Sequence, residues 1–385
     1  MISKKKIYLD YNATTPVDER VVEVMIPYFT EKFGNASSDH IFGWEAEEDV
    51  EFAREQVAKL VHCKPTEITF TSGATEAANL GLFGFCERNR SKGNHIITCK
   101  TEHKAVLDSM NALENKGFEV TYLKVNHEGN IDLEELENSI TPDTILVCLM
   151  LANNETGLIH PMQKIEKIVH SKGVNLMSDI TQAVGKIPLN LKDLNLDLAV
   201  FSSHKIYGPK GVGAIYINKK NKVEVVAQIF GGGQEKALRP GTLNVPGIVG
   251  FGKAAEIAFS EMNNESARIL KLRNKLEAFF KDEIEKVKIN SENSNRLPNT
   301  TNVSFENIDG TKLLRKLNML AISRGSACTS NFIHPSHVLT AMGLNDEMAL
   351  SSIRISLGRN TSIDDIEFTS GEIKIAVNSL NRVEA

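Results

Sequence analysis

The stretch Ile68–Asn79, ITFTSGATEAAN, changes character in its middle. ITFT is a β-branched run of the kind that forms a strand. SGAT is too small and polar to continue it. Beyond it, Ala77, Leu80, Gly81 and Gly84 fall at i, i+3, i+4 and i+7, a small-residue helix face suited to close packing on a sheet. The same alternation recurs on the C-terminal side. HIITC (95–99), EVTYL (119–123), TILVCLM (144–150), VNLMS (174–178), LAVF (198–201) and GAIYI (213–217) are strand-like runs, most of them separated by stretches of helical periodicity. In PMQKIEKIVHSKG, Pro161 opens a helix that Gly173 ends. Strands alternating with helices predict an α/β fold, a mostly parallel sheet covered by helices on both faces, over residues 15–250.

At 385 residues the chain exceeds the usual limit of one core, so two domains are expected. A long helical pattern near 266–287 is followed by TTNVSFEN, LAISRG and SSIRISLG, which read as strands of a smaller α+β domain. The predicted division gives 15–258 to the large domain, and 1–14 with 259–385 to the small one. Lys and Arg number 44 against 49 Asp and Glu, a net charge of −5. That balance supplies no global basic field, and direct nucleic-acid binding is not expected. MISKKKIYLD carries lysines with no apolar run behind them, unlike a secretory signal. No segment approaches the ~20 apolar residues that span a bilayer. The expected location is cytoplasmic, with no membrane partner.

Cysteines stand at 63, 86, 99, 148 and 328, an odd number without zinc-site spacing. Free thiols in a reducing compartment are the economical reading, and no metal site is expected. Cys99 and Cys148 lie in apolar strand-like runs and Cys86 in a helical pattern, as packing residues do. Cys328 differs. It stands in RGSACTS (324–330), a run too polar for a core strand and too rich in Gly and Ser for a stable helix, where a thiol is accessible.

In α/β sheets, ligands gather outside the carboxyl ends of strands. Ser72-Gly73-Ala74-Thr75 sits at such an end. Its N–H groups and the following helix dipole suit a phosphate, and they suit an ordinary capped helix start equally well. VNLMSDITQAVGK ends a strand at Asp179, with Gln182 close behind. LAVFSSHKIYGPKG ends another in Ser202-Ser203-His204-Lys205. A lysine there, partly desolvated beside another cationic group, has the lowered pKa that favours Schiff-base chemistry. A phosphate cradle, a strand-end Asp and a strand-end Lys together are what pyridoxal 5'-phosphate requires.

The ordered motifs YLDYNATTPVD, FGNASSDH, FTSGATEAAN, TEHKAVLDS, NNETG, DITQAVGK, FSSHKIYGPKG, GGGQEKALRPGT, GSACTS and SSIRISLGR run nearly end to end. Through them the chain resembles the cysteine desulfurases of the class V aminotransferase-like, fold-type I pyridoxal-phosphate family. The resemblance implies that Lys205 binds the cofactor aldehyde, Asp179 pairs with the ring nitrogen and Gln182 with the ring hydroxyl oxygen. It implies that His103 stacks on the ring and helps move protons. Ala74, Thr75, Ser202 and His204 would hold the phosphate, joined by Thr242 from the neighbouring subunit of a homodimer. Asn154 would lie beside cofactor and substrate, and Arg354 would clamp the substrate carboxylate.

It further implies that L-cysteine is the substrate, that Cys328 takes its sulfur as a persulfide, and that alanine is released. The segment from Cys328 to Pro335 resembles the branch with the longer cysteine loop, which serves iron–sulfur assembly and sulfur relay through a scaffold or sulfur-carrier protein. Ile180 and Pro240 replace the Ala and Ser of many relatives without removing a functional group. The last helical pattern stops almost at Ala385, where housekeeping relatives carry a further tail that recruits the scaffold. That specific partnership is therefore not implied. Within the same chemistry the alternative is a selenocysteine lyase. Cys328 argues against a carbon–sulfur lyase that needs no thiol, and Lys205, Asp179, His103 and Cys328 together argue against a non-catalytic scaffold.

Overall fold

The computed structural model describes residues 6–324 and 334–381. Its first strand, β1 (Ile7–Tyr8), lies apart from the main sheet. The main sheet comprises β2 (Ile68–Thr71), β3 (His95–Cys99), β4 (Glu119–Leu123), β5 (Thr144–Cys148), β6 (Asn175–Asp179), β7 (Leu198–Ser202) and β8 (Gly213–Ile217). Their order is β2-β8-β7-β6-β5-β3-β4. The pairs β4–β3, β3–β5, β5–β6 and β6–β7 are parallel, and β8 is antiparallel to both β7 and β2. It follows that β2 runs with β7, and the carboxyl ends of β2, β3, β5, β6 and β7 share one edge.

Both faces of this sheet are covered, which is why its strands read as apolar runs with little polar alternation. Ile97, Val147, Leu176, Phe201 and Tyr216 face one core, with Val50, Val57, Ile165 and Phe251 from helices. Their chain neighbours Ile96, Leu146, Met177, Val200 and Ile215 face the other core, with Ala77, Leu80, Phe85, Val106 and Met110. The small-residue helix read from the sequence is Ala74–Asn89. A Cβ on Gly81 would stand 3.0 Å from Met177 Cε and 3.2 Å from Ile215 Cδ1, so that helix lies close on the sheet. Gly84 serves a different neighbour. Its Cβ would reach within 2.4 Å of Val226 O.

A second, smaller arrangement follows. β9 (Val287–Ile289), β10 (Thr300–Phe305) and β12 (Ile353–Ser356) form an antiparallel sheet in the order β12-β10-β9, and β11 (Leu320–Ala321) pairs parallel with β1. Among the described residues of LAISRG only Leu320–Ala321 is strand, and Ser323 leaves to make a single bridge with Arg354. Ile7, Leu9, Val303, Phe305, Ile355, Ile366 and Val377 share the core here.

The helix expected near 266–287 is Val245–Glu283, 39 residues long and starting well before the predicted point. Its opening, VPGIVGFGK, contains three glycines, which weaken helical signal, and a proline at the first turn. The glycines are there for contact. A Cβ on Gly252 would stand 2.6 Å from Ala53 Cα in the helix Ile41–Leu60, and one on Gly250 would stand 2.5 Å from Met25 Sδ. Residues 258 and 259 lie inside this helix. Its first half packs in the core with Phe251, and its second half packs with Ile269, Leu276 and Phe280 in the other.

Gly252→Ala sets two effects against each other. Alanine gains about 1 kcal/mol of helix propensity, whereas overpacking a closed helix contact costs about 1–3 kcal/mol. Backbone and Cβ atoms of Ala53 cannot rotate away, so the clash should win. Denaturant unfolding is expected to show a lower midpoint for Gly252→Ala, and a raised midpoint would refute the close-contact reading.

Candidate active site

At the shared carboxyl edge a cavity of about 530 Å³ is lined by residues from five strand ends. After β2 come Ser72–Glu76, after β3 His103, and after β5 Met150, Ala152 and Asn154. Asp179 comes from the end of β6, and Ser202, His204 and Lys205 from that of β7. Of the residues singled out from the sequence, Ala74, Thr75, His103, Asn154, Asp179, Gln182, Ser202, His204 and Lys205 therefore meet in one place. Thr242 does not line this chain's cavity and is exposed. Arg354, on β12, adjoins the cavity through Asn154 without lining it. Cys328 lies outside the described residues.

The anion-binding end is built by the backbone. Gly73 occupies the N-cap of Ala74–Asn89 and supplies no side-chain cap, which leaves first-turn N–H groups for a ligand. A Cβ on Gly213 would stand 2.7 Å from Gly73 C and Cα, so glycine at the start of β8 lets the loop close against the sheet. Glu76 fixes the loop from the side. It accepts from Ser72 N at 2.7 Å and pairs with Arg239 Nε at 2.7 Å. Arg239 belongs to GGGQEKALRPGT, which is pinned again by Glu235. Arg54 donates to Glu235 at 2.7 and 2.9 Å, and Phe70 N donates to it at 2.8 Å.

Lys205 Nζ donates to Asn12 O at 2.5 Å and to Ala13 O at 2.7 Å. Burial, helped by Arg354 and opposed by Asp179 and Asp10, brings its amine down from 10.5 to about 8. His204 donates or accepts through Nδ1 at Thr14 Oγ1, 3.1 Å away, and burial with Lys205 and Lys210 brings it down to about 4. Asp179 Oδ1 accepts from Thr181 N at 2.9 Å, which aims the carboxylate. His103 caps the helix Lys104–Glu114, its Nδ1 accepting from Ala105 N at 3.1 Å. The neutral ring therefore carries its proton on Nε2. Burial lowers its pKa, with Asp179 opposing and Lys205 assisting.

Sequence reasoning quoted YLDYNATTPVD without giving Asn12 a role. The structure makes it a hub. Besides its carbonyl bonds to Lys205 and Gln182, Asn12 Nδ2 donates to Asn154 O at 3.1 Å and to Thr300 Oγ1 at 2.8 Å, and Asn12 N donates to Ser356 Oγ at 2.9 Å. The signal available was its type, since an amide between a strand and a proline both donates and accepts. Asp10 was missed as well. It pairs with Arg354 Nη2 at 2.7 Å, while Arg354 Nη1 donates to Asn154 O at 3.0 Å.

Residues 7–368 match the profile of the Aminotransferase class-V family. The chain belongs to the class-V aminotransferase family. Among curated relatives, Cysteine desulfurase IscS of Anaeromyxobacter sp. (strain Fw109-5) is 51% identical over 365 residues, 94% of this chain and 90% of that one. A solved NifS-like protein superposes with a TM-score of 0.91 at 42% identity, over 97% of this chain and 100% of the other. SspA in complex with cysteine superposes with a TM-score of 0.81 at 36% identity, over 92% and 99%. The fold is thus that of fold-type I enzymes, and the cofactor of this class-V chain is pyridoxal 5'-phosphate.

The residues present fit that cofactor. Uncapped N–H groups wait at the phosphate end, and a carboxylate and a depressed amine stand on adjacent strand ends. Asn154 Oδ1 is buried without a protein partner among the described residues. Capture of the aldehyde requires a neutral amine, so its rate should rise as Lys205 loses its proton. Borohydride trapping after mixing apoprotein with cofactor at graded pH should give a midpoint of about 8. A midpoint near 10.5, the value of an ordinary lysine, would show that burial does not prepare this amine.

Proposed function

We infer that the protein is a pyridoxal-phosphate-dependent cysteine desulfurase that converts L-cysteine to L-alanine and passes the sulfur to Cys328. The observation that carries this reading is the meeting of Lys205, Asp179 and the uncapped helix start in one cavity. When bound, the cofactor withdraws electrons from the substrate's α-carbon, which no side chain here can do.

The chain's own residues supply the rest. Lys205 holds the aldehyde, Asp179 keeps the ring nitrogen protonated, and Gln182 donates to the ring oxygen. Ala74, Thr75, Ser202 and His204 hold the phosphate. Arg354, oriented by Asp10 and the Asn154 carbonyl, uses remaining N–H groups for the substrate carboxylate. Its Nε is buried without a protein acceptor among the described residues, which supports that use. His103, lining the cavity, would lie against the cofactor ring and exchange protons at Nε2. Cys328 thiolate attacks the substrate sulfur as the carbon–sulfur bond breaks, the carbon takes a proton, and Cys328 is left as a persulfide. The other cysteines are poor candidates. Burial pushes Cys63 and Cys86 up to about 12 and Cys99 to about 11, and raises Cys148 well above its ordinary value. SspA, with cysteine in its solved complex, supports the choice of substrate.

The working unit is a homodimer in this reading. Phe29, Phe33, Trp44 and Phe230 are large apolar side chains left exposed, Phe230 by 86%. Thr242, also exposed, sits on the segment pinned by Arg54–Glu235 and Arg239–Glu76, which supports its use in a second copy's phosphate site. The acceptor is an iron–sulfur scaffold or sulfur-carrier protein. No described helix is long and apolar enough to cross a membrane, and the proposed location is the cytoplasm.

Mass spectrometry after brief exposure to L-cysteine without reductant should place one added sulfur on the peptide containing Cys328. Cys328→Ser should fold, bind cofactor and L-cysteine, and release no alanine. A persulfide on Cys63, Cys86, Cys99 or Cys148, with Cys328→Ser fully active, would overturn the assignment.

Thr242→Ala should lose cofactor about ten- to a hundredfold more readily, one charge-assisted hydrogen bond being worth about 1.5–3 kcal/mol, while apoprotein stability changes little. Sedimentation of active holoenzyme as a monomer would rule out the shared site.

A further inference from the structure

A second lysine reaches the cofactor site from behind. Lys186 Nζ lies 2.6 Å from Gln182 Oε1 and 3.2 Å from Asn12 Oδ1. It makes no ion pair with any described carboxylate. The charged groups facing it are Lys205 and Arg354, with Glu265 more favourably signed, and burial holds its pKa well below the ordinary lysine value. Tyr11, Tyr207 and Glu265 join Lys186 and Lys205 around a cavity of about 20 Å³ behind the main one. Burying an amine without a counter-ion is costly, and an apolar residue of similar length would pack there more cheaply. The contacts indicate what it does instead.

A side-chain amide can sit either way round unless its neighbours decide. Lys186 meets two oxygens, Gln182 Oε1 and Asn12 Oδ1, and even as a neutral amine it has an N–H for each. On the other side, Asn12 O accepts from Gln182 Nε2 at 3.0 Å, which requires nitrogen there. Both neighbours agree. Gln182 Nε2 thus keeps one N–H that Asn12 does not use, on a side chain that lines the cavity.

We propose that Lys186 is a positioning residue that locks the Gln182 amide with its free Nε2–H toward the ring oxygen of the cofactor. The proposal rests on the assignment of Gln182 to that oxygen. A donor at the ring oxygen holds negative charge there and makes the neighbouring nitrogen, linked to Lys205, easier to deprotonate. Losing the donor should therefore raise the pH at which the bound cofactor's visible absorption changes.

The experiment titrates that absorption in holoenzyme. Gln182→Ala and Lys186→Met should each move the midpoint up by about one pH unit, the size of one hydrogen bond to a charged group. The double variant should move no further, because both changes remove the same donor. Lys186→Arg, which keeps a donor, should stay near the wild-type midpoint. It decides the matter if Lys186→Met does not fold, since a shift as large as that of Gln182→Ala would overturn the proposal. A shifted Gln182→Ala beside an unshifted Lys186→Met would overturn it alone. Additive shifts in the double variant would also overturn it, showing Lys186 to act as a bare charge on Lys205. An unshifted Gln182→Ala would remove the assignment of Gln182 and the proposal with it.

Discussion

The seven-stranded sheet has helices on both faces, and that single constraint decides where chemistry can occur. Side chains along β3, β5, β6 and β7 alternate between two apolar cores, so a charged group in mid-strand would be buried without water or partner. Polar residues are tolerated where strands end. The parallel pairing puts those ends on one edge, and Asp179, Ser202 and Lys205 meet there because their strands are neighbours.

Around that edge the supporting residues come from far along the chain. Asp10 holds Arg354, Asn12 holds Lys205 and Gln182, and Asn299 Nδ2 donates to Asn12 Oδ1 at 3.0 Å. Asn12 and Asn299 are nearly fully buried, so each polar atom must find its partner within the protein. Lys205 illustrates the balance. Two carbonyls accept from its amine, which steadies the charged form, yet burial outweighs them and leaves a nucleophile close to neutral pH.

Much of this was legible beforehand because local chemistry signals it. Strand-to-helix transitions showed in hydrophobic period, and Ser72–Thr75, Asp179 and Lys205 showed as polar residues directly after apolar runs. What was not legible depends on distant contact. The helix start at VPGIVGFGK was hidden because Ala53 and Met25, whose closeness calls for its glycines, lie about two hundred residues away. Asn12 drew no role because its partners are at 154, 182, 205, 300 and 356. LAISRG carries strand propensity, but of its described residues only Leu320 and Ala321 pair as a strand, and Ser323 makes a lone bridge with Arg354. Arg354 was recognised through its motif, whereas nothing in the sequence near it announced Asp10.

The hub at Asn12 also sets an order in time. Asn12 emerges 344 residues ahead of Ser356, which accepts from its backbone N–H. β1 likewise waits for β11, and Ile7 and Leu9 wait for Ile355 and Val377 to complete their core. The main sheet can assemble from residues 68–217 while the carbonyl that steadies Lys205 is still unanchored. A finished cofactor pocket therefore cannot exist until Ser356 has been made, and loading of the cofactor in its final geometry belongs after that point.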